Sequence, residues 1–252
     1  MLTLDSIRDI RLYQSKEGYR FSVDALLLFS FVNLPRAATI ADLGAGSGII
    51  GILLARKYPG SRVTLIELQE SLVRIAGKNV ELNDLADRVR VLQSDIRLLT
   101  SAESLHQEKF DLIVSNPPFR RPRTGLISLS DERALARHEL ALPLEELVRT
   151  ASHLLRHHGR FCLVYLPERL FDVSGCMRRY ALEPKRARFV HSTSSTAAKM
   201  VLIEAVKGGR PGVKVEAPLV VYTSDGAPTT EMRQIYSAKE SDDDTWPEDE
   251  NR

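Results

Sequence analysis

Three glycines in five residues, Gly44-Ala45-Gly46-Ser47-Gly48, stand between a strand-like run, Thr39 to Leu43, and a helix-like run, Ile49 to Tyr58. Glycine lets the chain bend sharply and bring bare backbone against a ligand. The free N–H groups of the helix that follows favour a negative group nearby. The unit then repeats. Pro59-Gly60 closes the helix, Arg62–Ile66 is the next strand, ending at Glu67, and a helix from about Glu70 to Leu82 leads through Asn83-Asp84 to the strand Val89–Leu92. Asp95 stands just past that strand, and Phe110–Ser115 is the fourth. Strands alternating with helices of ten or more residues demand parallel βαβ units.

The second half continues the pattern. A helix is expected over Leu144–His157 with Gly159 as its C-cap, then a strand over Arg160–Leu166, stopped by Pro167, and a helix near Leu170–Tyr180. Two late strands, Ala187–His191 and Lys199–Val206, bring the count to seven, and Pro218–Tyr222 reads as a short edge strand. The expected fold is α/β: a Rossmann-like, doubly wound, mostly parallel seven-stranded sheet with helices on both faces. Residues 1–34 read as a leading loop and a helix, capped by Ser22 and ended by Asn33-Leu34-Pro35, packed as a cap on one main domain, 35–236. Tyr19 and Phe21 in that loop suit either a ligand wall or the core.

Residues 237–252 read as an acidic, disordered tail. Glu240 to Arg252 holds seven acids against one arginine, a charge of −6; with +2 overall, the rest of the chain carries +8. A basic body attracts phosphates, which gives weak support to a nucleic-acid partner. No apolar run approaches the ~18 residues of a membrane span, and Met1–Asp5 lacks the basic and apolar segments of a signal peptide. A cytoplasmic protein is expected. The two cysteines, Cys162 and Cys176, have no metal-type neighbour at short spacing, so they read as buried thiols and no metal is expected.

Glu67, nineteen residues after Gly48, can accept both hydroxyls of a ribose, and Asp95 can accept an adenine amino group. Both end strands on the edge where open α/β sheets bind ligands. Gly46-Ser47-Gly48-Ile49-Ile50-Gly51 also fits the G-x-G-x-x-G pattern of nicotinamide and flavin enzymes, a weak signal alone. Asp42 counts against those, because a carboxylate so near the loop repels a pyrophosphate and tolerates a cationic sulfonium.

Ser115-Asn116-Pro117-Pro118-Phe119 points the same way. Two prolines remove backbone donors and hold carbonyl acceptors rigidly. An amide side chain precedes them and an aromatic ring follows. Acceptors and a stacking ring, without an acid or base, suit a planar base that carries an amino group. The same letters serve as strand-ending punctuation, and the glycine loop upstream favours the chemical reading. Arg120, Arg121, Arg123, Arg133 and Arg137-His138-Glu139 follow, and the arginines are candidates for phosphate contacts.

Asp42-Leu43-Gly44-Ala45-Gly46-Ser47-Gly48, Glu67, Asp95 and Asn116-Pro117-Pro118-Phe119 together resemble the class I S-adenosylmethionine-dependent amino-methyltransferases. Phe21–Leu28, Arg137-His138-Glu139, Pro167-Glu168-Arg169-Leu170 and Pro211-Gly212-Val213-Lys214 narrow the resemblance to the bacterial tRNA adenine-N6 methyltransferases, over roughly residues 5–236. Many members have tyrosine where this chain has Phe119. The resemblance implies the class I methyltransferase fold and S-adenosylmethionine held by Asp42, Gly44, Ala45, Gly46, Gly48, Glu67, Leu68, Asp95, Ile96 and Asn116. It implies Asn116, Pro117, Pro118 and Phe119 as the catalytic stretch. It implies a tRNA substrate, methylated on an adenine next to the anticodon of a valine tRNA, with Phe119, Arg120, Arg121, Arg123 and Arg137 as RNA contacts. Ribosomal RNA guanine-N2 methyltransferases share Asn-Pro-Pro-Phe. Release-factor glutamine methyltransferases carry a larger helical domain than the 41 residues before Asp42 allow. A cofactor- and RNA-binding protein without turnover is the reading from another class.

Overall fold

A computed structural model describes residues 2–15, 23–99, 109–117 and 143–237. Strands β1 (Leu2–Ile7) and β2 (Ile10–Ser15) form an antiparallel hairpin. Then come α1 (Val23–Phe31), β3 (Thr39–Leu43), α2 (Ile49–Lys57), β4 (Arg62–Glu67), α3 (Glu70–Leu82), β5 (Val89–Gln93), a 3-10 turn at Ile96–Leu98 and β6 (Phe110–Ser115). The second half comprises α4 (Leu144–Leu154), β7 (Leu155–Tyr165), a 3-10 turn at Pro167–Arg169, α5 (Leu170–Arg179), β8 (Leu182–His191), β9 (Ala198–Lys207), β10 (Lys214–Val215), β11 (Leu219–Val220) and α6 (Thr230–Tyr236).

The main sheet runs β5-β4-β3-β6-β7-β9-β8-β10, with β11 also on β8. Strands β3 to β7 are parallel; β9 lies antiparallel between β7 and β8. The seven expected strands are the long ones, and β10 and β11 add two residues each at one edge. All six residues of β6 are buried, as a strand covered on both faces requires. Helix α1 is apolar nearly all round and buries Ala25 to Phe29.

Helix α2 crosses the sheet closely because it carries glycine. A Cβ on Gly51 would lie 2.1 Å from Leu65 Cδ2 and 3.3 Å from Val63 Cγ1. Gly51→Ala should therefore overpack this crossing and destabilise the fold by about 1–3 kcal/mol. An unchanged urea midpoint would show that α2 lifts off the sheet without strain.

Three expectations change. The opening segment is a hairpin, not a loop; its two-residue connection, Arg8-Asp9, puts Arg8 at φ 53 without the glycine that usually marks such turns. Helix α4 ends at Leu154, three residues short of the expected His157, and β7 begins at Leu155. Gly159 is not a C-cap. It lies inside β7 beside a register shift against β6, where a Cβ would meet the Phe110 carbonyl oxygen at 2.9 Å.

A buried ion network stitches β7, β9 and β8. Glu204 is fully buried; Oε1 accepts from Arg160 Nη1, and Oε2 accepts from Arg186 Nη1 at 2.9 Å. Arg186 Nε donates to Glu216 Oε1 at 2.9 Å, and its guanidinium lies 4.4 Å above the Phe31 ring. Cys162 sits beside Glu204; burial and that charge push its thiol well above the usual range, so it is an inert core residue. Cys176 is also buried.

Candidate active site

The register brings four strand ends together. Asp42 pairs with Leu65 and with Val114, and Leu65 pairs with Val91. Two residues further along, the four chains leave this row at Gly44, Glu67, Gln93 and Asn116. Strands β4 and β5 lie to one side of β3 and β6 to the other, so a crevice opens at the switch point between β3 and β6.

The glycine loop is built on backbone bonds to β4. Gly44 and Ala45 N–H both donate to the Ile66 carbonyl, at 2.9 and 3.0 Å. Gly48 has φ 88, and a Cβ there would lie 2.9 Å from Leu65 Cδ1. At Gly44, φ 76, the space around a Cβ is open, which leaves bare backbone facing the crevice.

Asp42 lies under this loop, not at its surface. Oδ2 accepts from Gly51 N–H at 3.0 Å, while Oδ1 has no partner among the described residues. Burial pushes its carboxyl up to about 7, against the pull of the Gly51 N–H, and the Glu67 charge pushes the same way. The folded chain thus keeps a proton that an unfolded chain, titrating near ~4, has lost. This contribution to stability is whole below about pH 4 and is lost as the pH rises to about 7. Wild-type stability in urea should fall between about pH 5 and 7.5 by more than that of Asp42→Asn. Parallel curves for the two proteins would show that Asp42 does not titrate in this window.

Glu67 is buried and spans two turns: Oε2 accepts from Gly46 N–H and Oε1 from Gln69 N–H, both at 2.9 Å. Each oxygen keeps a lone pair for a further donor. Leu68 beside it is 51% exposed. Asp95, just past β5, is already engaged within the chain. It caps the 3-10 turn through Arg97 N–H at 2.9 Å, and both its oxygens take the Arg97 guanidinium, whose hydrogen bonds hold the carboxyl below its usual range. Ile96 after it is buried.

Asn116 is half-buried and Pro117 buried at the end of β6. Ser115 Oγ, directly before them, donates to the Leu43 carbonyl at 2.7 Å and ties this end to the start of the glycine loop. Pro118, Phe119, Arg120, Arg121, Arg123, Arg133, Arg137, His138 and Glu139 lie outside the described residues, as do Tyr19, Phe21, Ser22 and the tail.

Two residues that sequence reasoning passed over support the loop. Asn79, buried in α3, accepts from Tyr13 N–H at 2.6 Å and donates to the Tyr13 and Ser47 carbonyls at 3.1 and 2.9 Å. Asn83 repeats this with Arg11, accepting at 3.0 Å and donating at 2.7 Å. The hairpin is thereby fastened to the helix that backs the glycine loop. An asparagine in line with buried Leu72 and Ala76, and a second four residues on at the helix C-cap, were the available signal.

Among the described residues, no helix is long and apolar enough to cross a membrane, and no group of three or more His, Cys, Asp or Glu is placed to hold a metal. The methyltransferase small domain matches residues 21–169. A Porphyromonas gingivalis protein named tRNA1(Val) (adenine(37)-N6)-methyltransferase is 35% identical over 190 residues, 73% of each chain. A protein of the same name from a Flavobacteriaceae bacterium is 29% identical, over 89% of this chain and 91% of its own. The crystal structure of a "predicted O-methyltransferase" from Agrobacterium tumefaciens superposes with a TM-score of 0.67 at 27% identity, covering 84% of this chain and 94% of that one. Fold and family together imply S-adenosylmethionine as the methyl donor. The chain belongs to the methyltransferase small-domain family and is a class I methyltransferase.

Proposed function

We propose that this enzyme methylates the N6 amino group of an adenine in tRNA, at position 37 beside the anticodon of a valine tRNA. The observation that carries the reading is the position of Asn116 at the switch point, two residues past the row that also leads to Gly44 and Glu67, with Pro117 next. The names of the relatives support the substrate.

The residues fit S-adenosylmethionine. Gly44 offers open backbone, Glu67 has lone pairs to spare for ribose hydroxyls, and Leu68 and Ile96 offer apolar walls for a flat base. Buried Glu67, beside the loop, favours a cation over a pyrophosphate. Asp95 must share its carboxylate with Arg97 if it also receives an adenine amino group. When bound, the cofactor supplies an electrophilic methyl group on its sulfonium.

The adenine amino nitrogen is a poor nucleophile because its lone pair is delocalised into the ring. Asn116 Oδ1 and the Pro117 carbonyl each accept one of its two N–H bonds, which draws the nitrogen toward sp³ and aims its lone pair into the crevice. Phe119 stacks on the extruded base; such stacking contributes about 1–3 kcal/mol. Arg120, Arg121, Arg123 and Arg137, by their place in the sequence after this stretch, neutralise phosphates. Positioning supplies most of the rate, and the proton leaves after transfer without a dedicated base.

Methyl transfer from labelled S-adenosylmethionine to tRNA transcripts, and in parallel to unmodified ribosomal RNA and to release-factor protein, followed by nucleoside and amino-acid analysis, tests the proposal. N6-methyladenosine at position 37 is the expected product. Label found as N2-methylguanosine in ribosomal RNA, or on protein glutamine, would replace it.

A further inference from the structure

Phe171 is 88% exposed, more than any other large apolar side chain among the described residues. The fold does not require it there. Helix α5 buries Val173, Cys176 and Met177, with Leu170 and Tyr180 packed against the same core, and Phe171 falls outside that stripe. Its location is informative. Strands β6 and β7 are parallel with Ser115 opposite Leu163, so Asn116 and Pro117 leave the sheet beside Val164 and Tyr165. One 3-10 turn, Pro167–Arg169, carries the chain from there to Phe171, and the Arg169 Nε–Asp172 Oδ2 pair at 2.7 Å braces that turn. Leu68 and Leu98, 51% and 60% exposed, follow β4 and β5 on the same rim.

We propose that Phe171 is a stacking platform for an unpaired nucleobase of the RNA substrate, next to the adenine that is methylated. This rests on the RNA reading of the site. Extruding one base leaves its neighbours without a stacking partner, and an aromatic face restores one whatever the base. Glu168, Arg169 and Asp172, the charged residues nearest to it in sequence, sum to a negative charge. The contact is therefore with the face of a base and not with phosphate. Phe171 is thus a positioning residue for RNA.

The test compares full-length wild type with Phe171→Ala, Phe171→Leu and Phe171→Trp in steady-state methylation of unmodified tRNA transcripts. In the Ala and Leu variants, KM for tRNA should rise about ten-fold, within the range for one base–aromatic contact. Their kcat at saturating tRNA and their S-adenosylmethionine affinity should stay within about two-fold of wild type, the split expected when binding common to ground and transition states is removed. The Trp variant should retain the wild-type KM. A second readout needs no turnover. Trp246 is the only tryptophan, so Phe171→Trp in a Trp246→Phe background carries a single reporter at the rim. Unmodified tRNA should quench its emission saturably, and a blunt RNA duplex should not. An unchanged KM in Phe171→Ala, a Leu variant as good as wild type, or unquenched emission with tRNA that binds would each overturn the proposal. If wild type does not methylate tRNA, the functional reading fails, and quenching by bulk unmodified RNA then decides Phe171 separately.

Discussion

Asn116→Ala should lose about 10²–10³-fold in kcat with a far smaller loss of S-adenosylmethionine affinity, the scale seen when one oriented polar contact to a reacting centre is removed. The amide carries one of two acceptors for the amino group, and with it gone only the Pro117 carbonyl holds the nitrogen, which can rotate back into conjugation with the ring. The fold should be indifferent. Asn116 is half-buried at a strand end whose position is kept by the Ser115–Leu43 bond and by a fully buried strand. Calorimetric titration with the cofactor, run beside single-turnover methylation of tRNA, separates the two functions. A variant that folds but no longer binds the cofactor would make Asn116 a part of the cofactor pocket first.

Glu204→Ala should destabilise the chain by about 2–4 kcal/mol, because it removes the buried carboxylate that two partly buried arginines share. Arg160 loses its carboxylate, and Arg186 keeps Glu216, the Phe31 carbonyl and the Phe31 ring. Three strands and the end of α1 meet at these side chains, so the loss should appear as a lower urea midpoint for the whole domain. Replacing Glu204 and Arg160 together by apolar residues of similar volume should recover much of it, since a buried ion pair and a packed apolar pair are often equivalent. A single variant within about 1 kcal/mol of wild type would show that water reaches the cluster and solvates the arginines.

This network also shows where sequence reasoning stopped. Lys185-Arg186-Ala187-Arg188 is a basic run in the sequence, yet Arg186 is spent on Glu204 and Glu216, and Arg188 on Glu231 at 2.6 and 2.8 Å. Charge is visible in a sequence; its partners, 18 to 43 residues away, are not. The parallel half of the sheet was legible because β3, β4 and β6 are short apolar runs bounded by glycine, proline or acids. The hairpin was not, because Arg8-Asp9 is an uncommon tip. The end of α4 was not, because Arg156-His157-His158 contains no breaker, and Gly159 is needed for close approach to Phe110 instead of a cap. In the site, Gly44, Glu67 and Asn116 follow from strand ends alone. That Asp95 also bonds Arg97, two residues on, is a contact that strand spacing does not reveal.

The asparagine pair has a geometric consequence. Four residues of α-helix advance about 6 Å, and two residues of strand about 6.8 Å. Asn79 and Asn83 therefore meet Tyr13 and Arg11 at nearly matched spacing, and each carboxamide presents the donor and acceptor of a peptide unit. To β2 the helix is a counterfeit third strand two rungs long. Unlike a real strand it has no far side, so the ladder terminates there and offers no template for another chain to extend.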